Sequence, residues 1–335
     1  VINLAHGELI MLGAYTTYVV QLIFKLPFLA PVYNAYVLVA IPCAFVVSGV
    51  IGILLERTVI RRLYGNPLET LLATWGVSLI LQQFVRSVPL AYAAGMVVFL
   101  VLGFSLPLFL PNPLLEGRQS RLVRSGGWAV SALVGVLCAG GLASQISRIA
   151  RATSRNVDVT APKWMRGGLE WMDLTFPVPR LVIIVMTFIA VVGVIWFLNR
   201  SVWGIRIRAV TQNRSMSDCL GIPTDTVDVL TFGIGSGLAG VAGVAVSLLG
   251  SVGPNVGTSY IVGCFMVVVL GGVGNLLGTV LASFAIGLLT DLIGAGRLLT
   301  IWPDMPRPLA GGGEFFATTS MAQGRVLALL AVFLQ

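Results

Sequence analysis

The stretch VLTFGIGSGLAGVAGVAVSLLGSVGPNVGTSYIVGCFMVVVLGGVGNLLGTVLASFAIGLLT, residues 229–290, contains no charged residue. A helix needs about 20 apolar residues to cross the hydrocarbon core of a bilayer, so this stretch is long enough for two or three crossings. Its apolar residues run continuously instead of alternating, which favours helices over the strands of a membrane barrel. The stretch therefore predicts a polytopic helical membrane protein.

The rest of the chain has the same character. Of its 335 residues 57% are hydrophobic and only 10% are charged, against about 25% charged in soluble domains, and the mean hydropathy is +0.95. The composition excludes a disordered protein, a nucleic-acid-binding domain and nearly every cytosolic enzyme. We predict an all-α polytopic membrane protein of about nine to ten transmembrane helices. The expected spans are 8–24, 35–55, 69–86, 90–110, 127–147, 179–198, 228–250, 259–273, 276–295 and 319–335.

The basic residues indicate an orientation. The net charge is +8, yet these residues lie between apolar runs, as loop charges do in membrane proteins, so no nucleic-acid partner is expected. Loops 56–68, 112–126 and 199–227 are rich in arginine and fall on one face, which the positive-inside rule makes cytoplasmic. Loop 148–178 on the opposite face is also basic and conflicts with that rule.

One span is predicted to break. The short segment 259–273 runs into Gly271, Gly272, Gly274 and Asn275, which are poor residues for a helix interior. Broken helices inside a membrane occur where the backbone lines a cavity or is covered by protein. A helix break near 271–275 and a tight loop between two ordinary helices both remain open. Small residues four apart, at 233/237, 236/240 and 274/278, predict close helix contacts.

No catalytic or metal site is expected. His6 is the one histidine, and the four cysteines form no CxxC pair, which leaves no triad and no metal-ligand pattern. The sequence GSGLAG at 235–240 matches a dinucleotide-binding pattern, but residues 229–290 supply no acidic partner. Glu8, in the polar stretch NLAHGE, stabilises a helix start or faces a substrate pathway. The chain has no nucleotide motif, so no cofactor is predicted.

Several stretches carry a resemblance to a known family. They are VINLAHGELIMLGAYTTYVVQ at 1–21, ERTVIRRLYGNPLETLLATWGVSLILQQFVRSV at 56–88, NVDVTAPKW at 156–164, WGIRIRAVTQNRSMSDCLGIPTDTVDVLTFGIGSGLAGVAG at 203–243, SLLGSVGPNVGTSYIV at 247–262, FMVVVLGGVGNLLGT at 265–279 and FFATTSMA at 315–322. The chain resembles the permeases of branched-chain amino-acid ABC importers, and within them the urea branch. It departs from the pattern at Gly263, where an aspartate is usual, and in regions 89–155 and 297–313.

The resemblance implies a transport subunit and not an enzyme. It implies a multi-pass protein of a bacterial inner membrane that works with a second permease subunit, two cytoplasmic ATPase subunits, a periplasmic substrate-binding protein and membrane lipid. The abrupt ends at Val1 and Gln335 suggest that a single permease domain over 1–335 has lost part of its first span and its tail.

The implied cargo is urea, a small neutral molecule that needs uncharged hydrogen-bonding groups along its pathway. Candidates within or beside spans are Glu8, Thr16, Thr17, Thr74, Ser78, Gln82 and Asn275. For any single serine or threonine, a hydrogen bond to its own helix is an alternative role. A branched-chain amino acid or short amide is the alternative cargo, and a passive urea channel is an alternative machine.

The basic loop 199–227 is predicted to couple the permease to the ATPase. Trp203–Gly221 is long enough for a helix of about four to five turns, ended by Gly221-Ile222-Pro223. Its candidate contacts are Arg206, Arg208 and Arg214, as donors to acidic groups, and Met216 and Leu220, as apolar anchors. Binding of the arginines to anionic lipid is the competing interpretation.

Overall fold

A computed structural model describes residues 3–25, 30–64, 66–87, 156–165, 167–171, 174–272 and 274–294. Nine α-helices occur in these ranges: α1 His6–Phe24, α2 Tyr36–Thr58, α3 Pro67–Ser87, α4 Val178–Arg200, α5 Val202–Gln212, α6 Arg214–Cys219, α7 Thr224–Leu249, α8 Val256–Gly271 and α9 Leu276–Gly294. Short 3-10 helices cover Ala30–Ala35, Ile60–Leu63 and Lys163–Met165.

Five of these helices, α1 to α4 and α7, are long and apolar enough to cross a membrane. The helices α8 and α9 supply two shorter apolar segments. All seven lie within a few residues of predicted spans, which confirms the helical membrane fold. The predicted spans 90–110, 127–147 and 319–335, and the loop 112–126, lie outside the described residues.

The sequence predicted only helices, but the structure also contains a small β-hairpin. Strand β1, Gly168–Trp171, pairs antiparallel with β2, Leu174–Pro177, in the register Gly168↔Pro177. The hairpin arises in the polar loop before α4, where no apolar run dictates a helix. Each strand has four residues, whereas a membrane-crossing strand needs about 9–11. The hairpin therefore leaves the all-α membrane architecture unchanged.

The helices α1, α2 and α7 pack through small residues into one bundle. A Cβ at Gly13 of α1 would collide with the backbone of Gly240 in α7, and a Cβ at Gly49 of α2 would lie 3.2 Å from the carbonyl oxygen of Gly233 in α7. A Cβ at Gly52 of α2 would collide with the side chain of Ser236 in α7. The predicted small-residue pairs of α7 therefore do form helix contacts, because glycine lets the backbones touch.

An extended segment, residues 156–162, covers one end of this bundle. Val157 exchanges two backbone hydrogen bonds of 2.8 Å with Val252. The buried amide nitrogen of Gln21 donates to the carbonyl oxygen of Thr160 at 2.9 Å, and the Tyr36 hydroxyl donates to the same carbonyl at 2.8 Å. The segment thus fixes the end of α1 and the start of α2.

The chain divides into two compact units, Val1–Val256 and Gly257–Gln335. In the second unit α8 ends at Gly271 and α9 begins at Leu276, so the predicted helix break is present. Gly272 and Gly274 have φ values of 84° and 90°, which side chains rarely adopt. The predicted 274/278 contact is replaced by one between Gly271 and Gly278, whose backbones touch.

Candidate functional site

A polar stripe runs along α3 on the side that contacts α1. Thr70, Thr74, Ser78 and Gln82 are four residues apart and share one face of the helix. The first three are buried and Gln82 is half-buried. On its other faces α3 exposes large apolar side chains: Leu72, Trp75, Leu79 and Ile80. We call this stripe, together with Glu8 of α1, the polar seam.

Glu8 is the ionisable group of the polar seam. Glu8 is only 1% exposed to solvent. One carboxylate oxygen, Oε1, accepts hydrogen bonds from the Ser78 hydroxyl at 2.9 Å and the Gln82 amide at 2.8 Å. The other oxygen, Oε2, is buried and has no hydrogen-bond partner among the described residues. Oε1 thus has two donors from α3, whereas Oε2 has no donor among the described residues.

The depth of the polar seam follows from helix geometry. The helix α3 spans 21 residues from Pro67, a length of about 31 Å at 1.5 Å per residue. Ser78 lies eleven residues along it, or about 16 Å, which is half way. Glu8 therefore meets α3 near the middle of its apolar span. Ionisable side chains buried between membrane helices are costly and are usually retained for function.

The structure separates the predicted pathway residues into two groups. Glu8, Thr74, Ser78 and Gln82 come together in the polar seam, where the Thr74 hydroxyl also accepts from the backbone N–H of Leu4 at 3.2 Å. The other three bond locally: Thr16 donates to the carbonyl of Leu12 at 2.7 Å, Thr17 donates to that of Gly13 at 2.9 Å, and the side-chain oxygen of Asn275 accepts from the N–H of Gly278 at 3.1 Å. Asn275 thus caps α9.

Thr70 belongs to the polar seam, yet the sequence analysis did not select it. Its hydroxyl donates to the carbonyl oxygens of Leu63 and Asn66 at 3.0 and 2.9 Å. The signal that could have found it is the four-residue spacing that continues from Thr74, Ser78 and Gln82 towards the start of α3. Thr70 ties α3 to the preceding turn and extends the stripe.

The predicted coupling helix over Trp203–Gly221 is wrong in its continuity, because the segment forms two helices. The first, α5, ends at Gln212, and Asn213 is extended with φ −153°. The Asn213 side chain accepts from the N–H of Met216 at 3.1 Å and so caps α6. An asparagine that bonds a neighbouring backbone N–H competes with helix continuation, which explains the interruption.

An ionic network joins this segment to the other basic loop. Arg61 contacts buried Glu56 of α2 at 3.3 Å and Asp225 of α7 at 3.5 Å. Arg214 contacts Asp225 at 3.5 Å and Asp228 at 2.7 Å. Loops 56–68 and 199–227, predicted to share a face, therefore meet at one end of the bundle.

The carboxylates of this network contribute to raised pKa values at Arg61 and Tyr64. The hydrogen bond with Glu56 is the main cause that raises the pKa of Arg61. Burial, and then the nearby carboxylates of Asp228 and Glu56, raise the pKa of Tyr64 to about 12. The guanidinium of Arg214 also lies 4.7 Å from the centre of the Tyr64 ring. Arg61 stays charged and Tyr64 stays neutral at physiological pH.

This geometry corrects the role predicted for Arg214. The sequence analysis expected its guanidinium to meet an acidic group on a partner, but it pairs with two carboxylates of its own chain. The acids lie only 11 and 14 residues further on, at the start of α7. Arg214 therefore holds α6 against α7.

The remaining predicted coupling residues lie at the surface. Met216 is 59% exposed and Leu220 is 72% exposed. Arg208 is exposed, whereas the guanidinium of Arg206 lies 4.9 Å from the centre of the Trp203 ring. We call Arg208, Met216 and Leu220 the exposed coupling surface.

Within the part of the chain that the structure describes, no three histidine, cysteine or acidic side chains are grouped to hold a metal ion.

Comparison with known proteins assigns a family. The model of the family described as "Branched-chain amino acid transport system / permease component" matches residues 1–87 and 72–305. The high-affinity branched-chain amino acid permease BraD of Pseudomonas aeruginosa is 26% identical over 85% of this chain and 74% of its own length. The corresponding LivH of Escherichia coli is 28% identical over 52% of this chain, and the alignment spans 58% of LivH, less than two thirds of it.

A third relative has a different named cargo. The autoinducer 2 import permease LsrC of Salmonella paratyphi B is 23% identical over 81% of each chain. No solved structure matches the chain. The relatives named here are thus permease proteins of transport or import systems.

Proposed function

The chain belongs to the branched-chain amino acid transport permease family, and on that basis we propose that it carries branched-chain amino acids in an ATP-driven importer. It is a multi-pass inner-membrane transport subunit and not an enzyme. Support for an amino-acid cargo comes from the names of BraD and LivH. It also comes from the polar seam, because the half-satisfied carboxylate of Glu8 suits the ammonium group of an amino acid.

Urea is the second candidate cargo. It is favoured by the resemblance of ETLLATWGVSLILQQFVRS, residues 69–87, to the urea branch. These residues include four of the polar-seam side chains, whose hydroxyl and amide groups match the hydrogen-bonding capacity of a neutral amide. Urea and leucine both present N–H donors to the polar seam, and the ammonium group of leucine would form the stronger, charge-assisted bond with Glu8.

The exposed coupling surface supports the proposed contact with an ATPase. Large apolar side chains at the basic end of the bundle, such as Met216 and Leu220, are suited to fill a groove in a partner. Arg208, exposed on the preceding helix α5, adds a positive charge. The complete importer that we propose has this chain paired with a second permease subunit, two cytoplasmic ATPase subunits and a periplasmic substrate-binding protein in the lipid bilayer.

The experiment is uptake by proteoliposomes that contain the full complex with its binding protein. Labelled leucine and labelled urea are offered separately, with ATP inside or absent. ATP-dependent leucine uptake above that of urea supports the proposal. ATP-dependent uptake of urea alone replaces the cargo by urea, and urea uptake that needs no ATP replaces the importer by a channel.

A further inference from the structure

We propose that Oε2 of Glu8 is the hydrogen-bond acceptor for the N–H group of the cargo between α1 and α3. The inference rests on the proposed transport function and adds the atom that recognises the cargo. It names the chemical class of the ligand as a compound with a nitrogen-borne hydrogen, either an ammonium or an amide.

The argument starts from the unequal treatment of the two carboxylate oxygens. Oε1 receives both donors of α3, Ser78 and Gln82, at 2.9 and 2.8 Å. Oε2 is buried, and no donor among the described residues reaches it. An acceptor left without a donor away from water loses its hydration with no compensation. The two donors fix the carboxylate in place, so its free oxygen is pre-positioned for a ligand.

The surroundings define how a ligand reaches this oxygen. Glu8 is buried, whereas Gln82, whose amide donates to it, is half-buried and therefore partly accessible. On its α7 side, by contrast, α1 is in backbone contact through Gly13 and Gly240. Glu8 thus meets α3 through side chains, which can move to admit a ligand, whereas α1 meets α7 through backbone, which cannot.

The polarity of the site selects donors. A carboxylate oxygen accepts hydrogen bonds and repels anions, and Ser78 and Gln82 already spend a donor each on Oε1. An ammonium gains a charge-assisted bond and an amide gains a weaker one. A ligand that lacks N–H leaves Oε2 unsatisfied and gains nothing at this position.

The test compares Glu8→Gln with Glu69→Gln in the reconstituted complex. Glu69 is an exposed carboxylate at the start of the same helix α3, so the same chemical change is made outside the polar seam. Glutamine at position 8 keeps an oxygen for Ser78 and Gln82 but turns a donor towards the cargo. We expect Glu8→Gln to lower uptake of the cargo that the wild type carries, leucine or urea, by at least roughly tenfold. Glu69→Gln should retain uptake, and ATPase co-purification should be unchanged in both. Equal uptake by Glu8→Gln and wild type overturns the inference.

A second measurement does not depend on the identity of the cargo. Infrared difference spectra of the purified complex assign the carboxyl band of Glu8 as the one lost in Glu8→Gln. Methylammonium and acetamide serve as N–H probes, and tetramethylammonium serves as a probe without N–H. A shift of that band with either N–H probe and not with tetramethylammonium supports the inference, even where neither leucine nor urea is transported. No shift with the N–H probes, or the same shift with all three, overturns it.

Discussion

The backbone contact between α7 and its neighbours gives a quantitative prediction for Gly240→Ala. The new Cβ would collide with the carbonyl oxygen of Ala44 and would lie 2.6 Å from Oγ and 2.7 Å from Cβ of Ser48. Relieving the closest of these contacts, with the carbonyl oxygen of Ala44, requires α2 to retreat by about 1 Å. Rotating Ser48 does not relieve the overlap, because its Cβ and the Ala44 backbone are fixed to the helix. Overpacking of this kind costs about 1–3 kcal/mol.

A hydrogen bond is lost with the same movement. The Ser48 hydroxyl donates to the carbonyl of Leu9 at 3.1 Å, and displacing α2 from α1 breaks this bond between buried groups, at a cost of about 1 kcal/mol. We expect Gly240→Ala to lower the free energy of unfolding by about 2–4 kcal/mol in total. The assay is reversible unfolding of the purified protein in mixed micelles, followed by helical circular dichroism.

The matched control is Gly235→Ala on the same helix. A Cβ at Gly235 meets nothing within 4 Å, and both variants gain the same helix propensity from alanine. The difference between the two variants therefore isolates the contact of α7 with α2. Equal stabilities for Gly235→Ala and Gly240→Ala would refute the packing described here.

Three further predictions concern transport. Gly272→Leu should lower uptake while membrane insertion is retained, because the φ of 84° at Gly272 is strained for any side chain; unchanged uptake at normal expression would contradict this. Met216→Asp should abolish co-purification of the ATPase and cargo-stimulated ATP hydrolysis, because it places a charge on the exposed coupling surface; retained binding would move the docking site to loop 56–68. Arg61→Met should lower the midpoint of thermal unfolding, because it leaves buried Glu56 without its cation, whereas exposed Arg57→Met should not; equal midpoints would show that the pair adds no stability.

The spans could be predicted from the sequence because their signal is local. Each described long helix lies mostly within a stretch free of charged residues, and the break after Gly271 is marked by glycines that the turn requires. The polarity of Glu8, Ser78 and Gln82 was equally visible. The contact between these side chains could not be predicted, because Glu8 and Ser78 are 70 residues apart and only the packing of α1 on α3 brings them together.

The differences between prediction and structure at Asn213 and Arg214 also have local causes. The interruption at Asn213 depends on a side chain that bonds the backbone of the next turn, which hydrophobic spacing does not register. The internal pairing of Arg214 depends on how α6 folds back towards Asp225 and Asp228. Charge alone shows that an arginine needs a partner, and the tertiary fold decides whether that partner belongs to the same chain.

The ionic network and the polar seam are connected through α7. The network holds the start of α7 at Asp228, and Gly243 lies fifteen residues further along, about 22 Å at 1.5 Å per residue. There α7 touches the backbone of α1, since a Cβ at Gly243 would collide with the carbonyl of Ile10. Glu8 lies less than one turn from Ile10 and faces α3. Because backbone contacts leave no side chain to absorb a displacement, a movement of α7 at its network end has to move α1 or separate from it. Movement of α1 relative to α3 changes the distances from Glu8 to Ser78 and Gln82, which would couple the proposed cargo acceptor to the ionic network at the other end of α7.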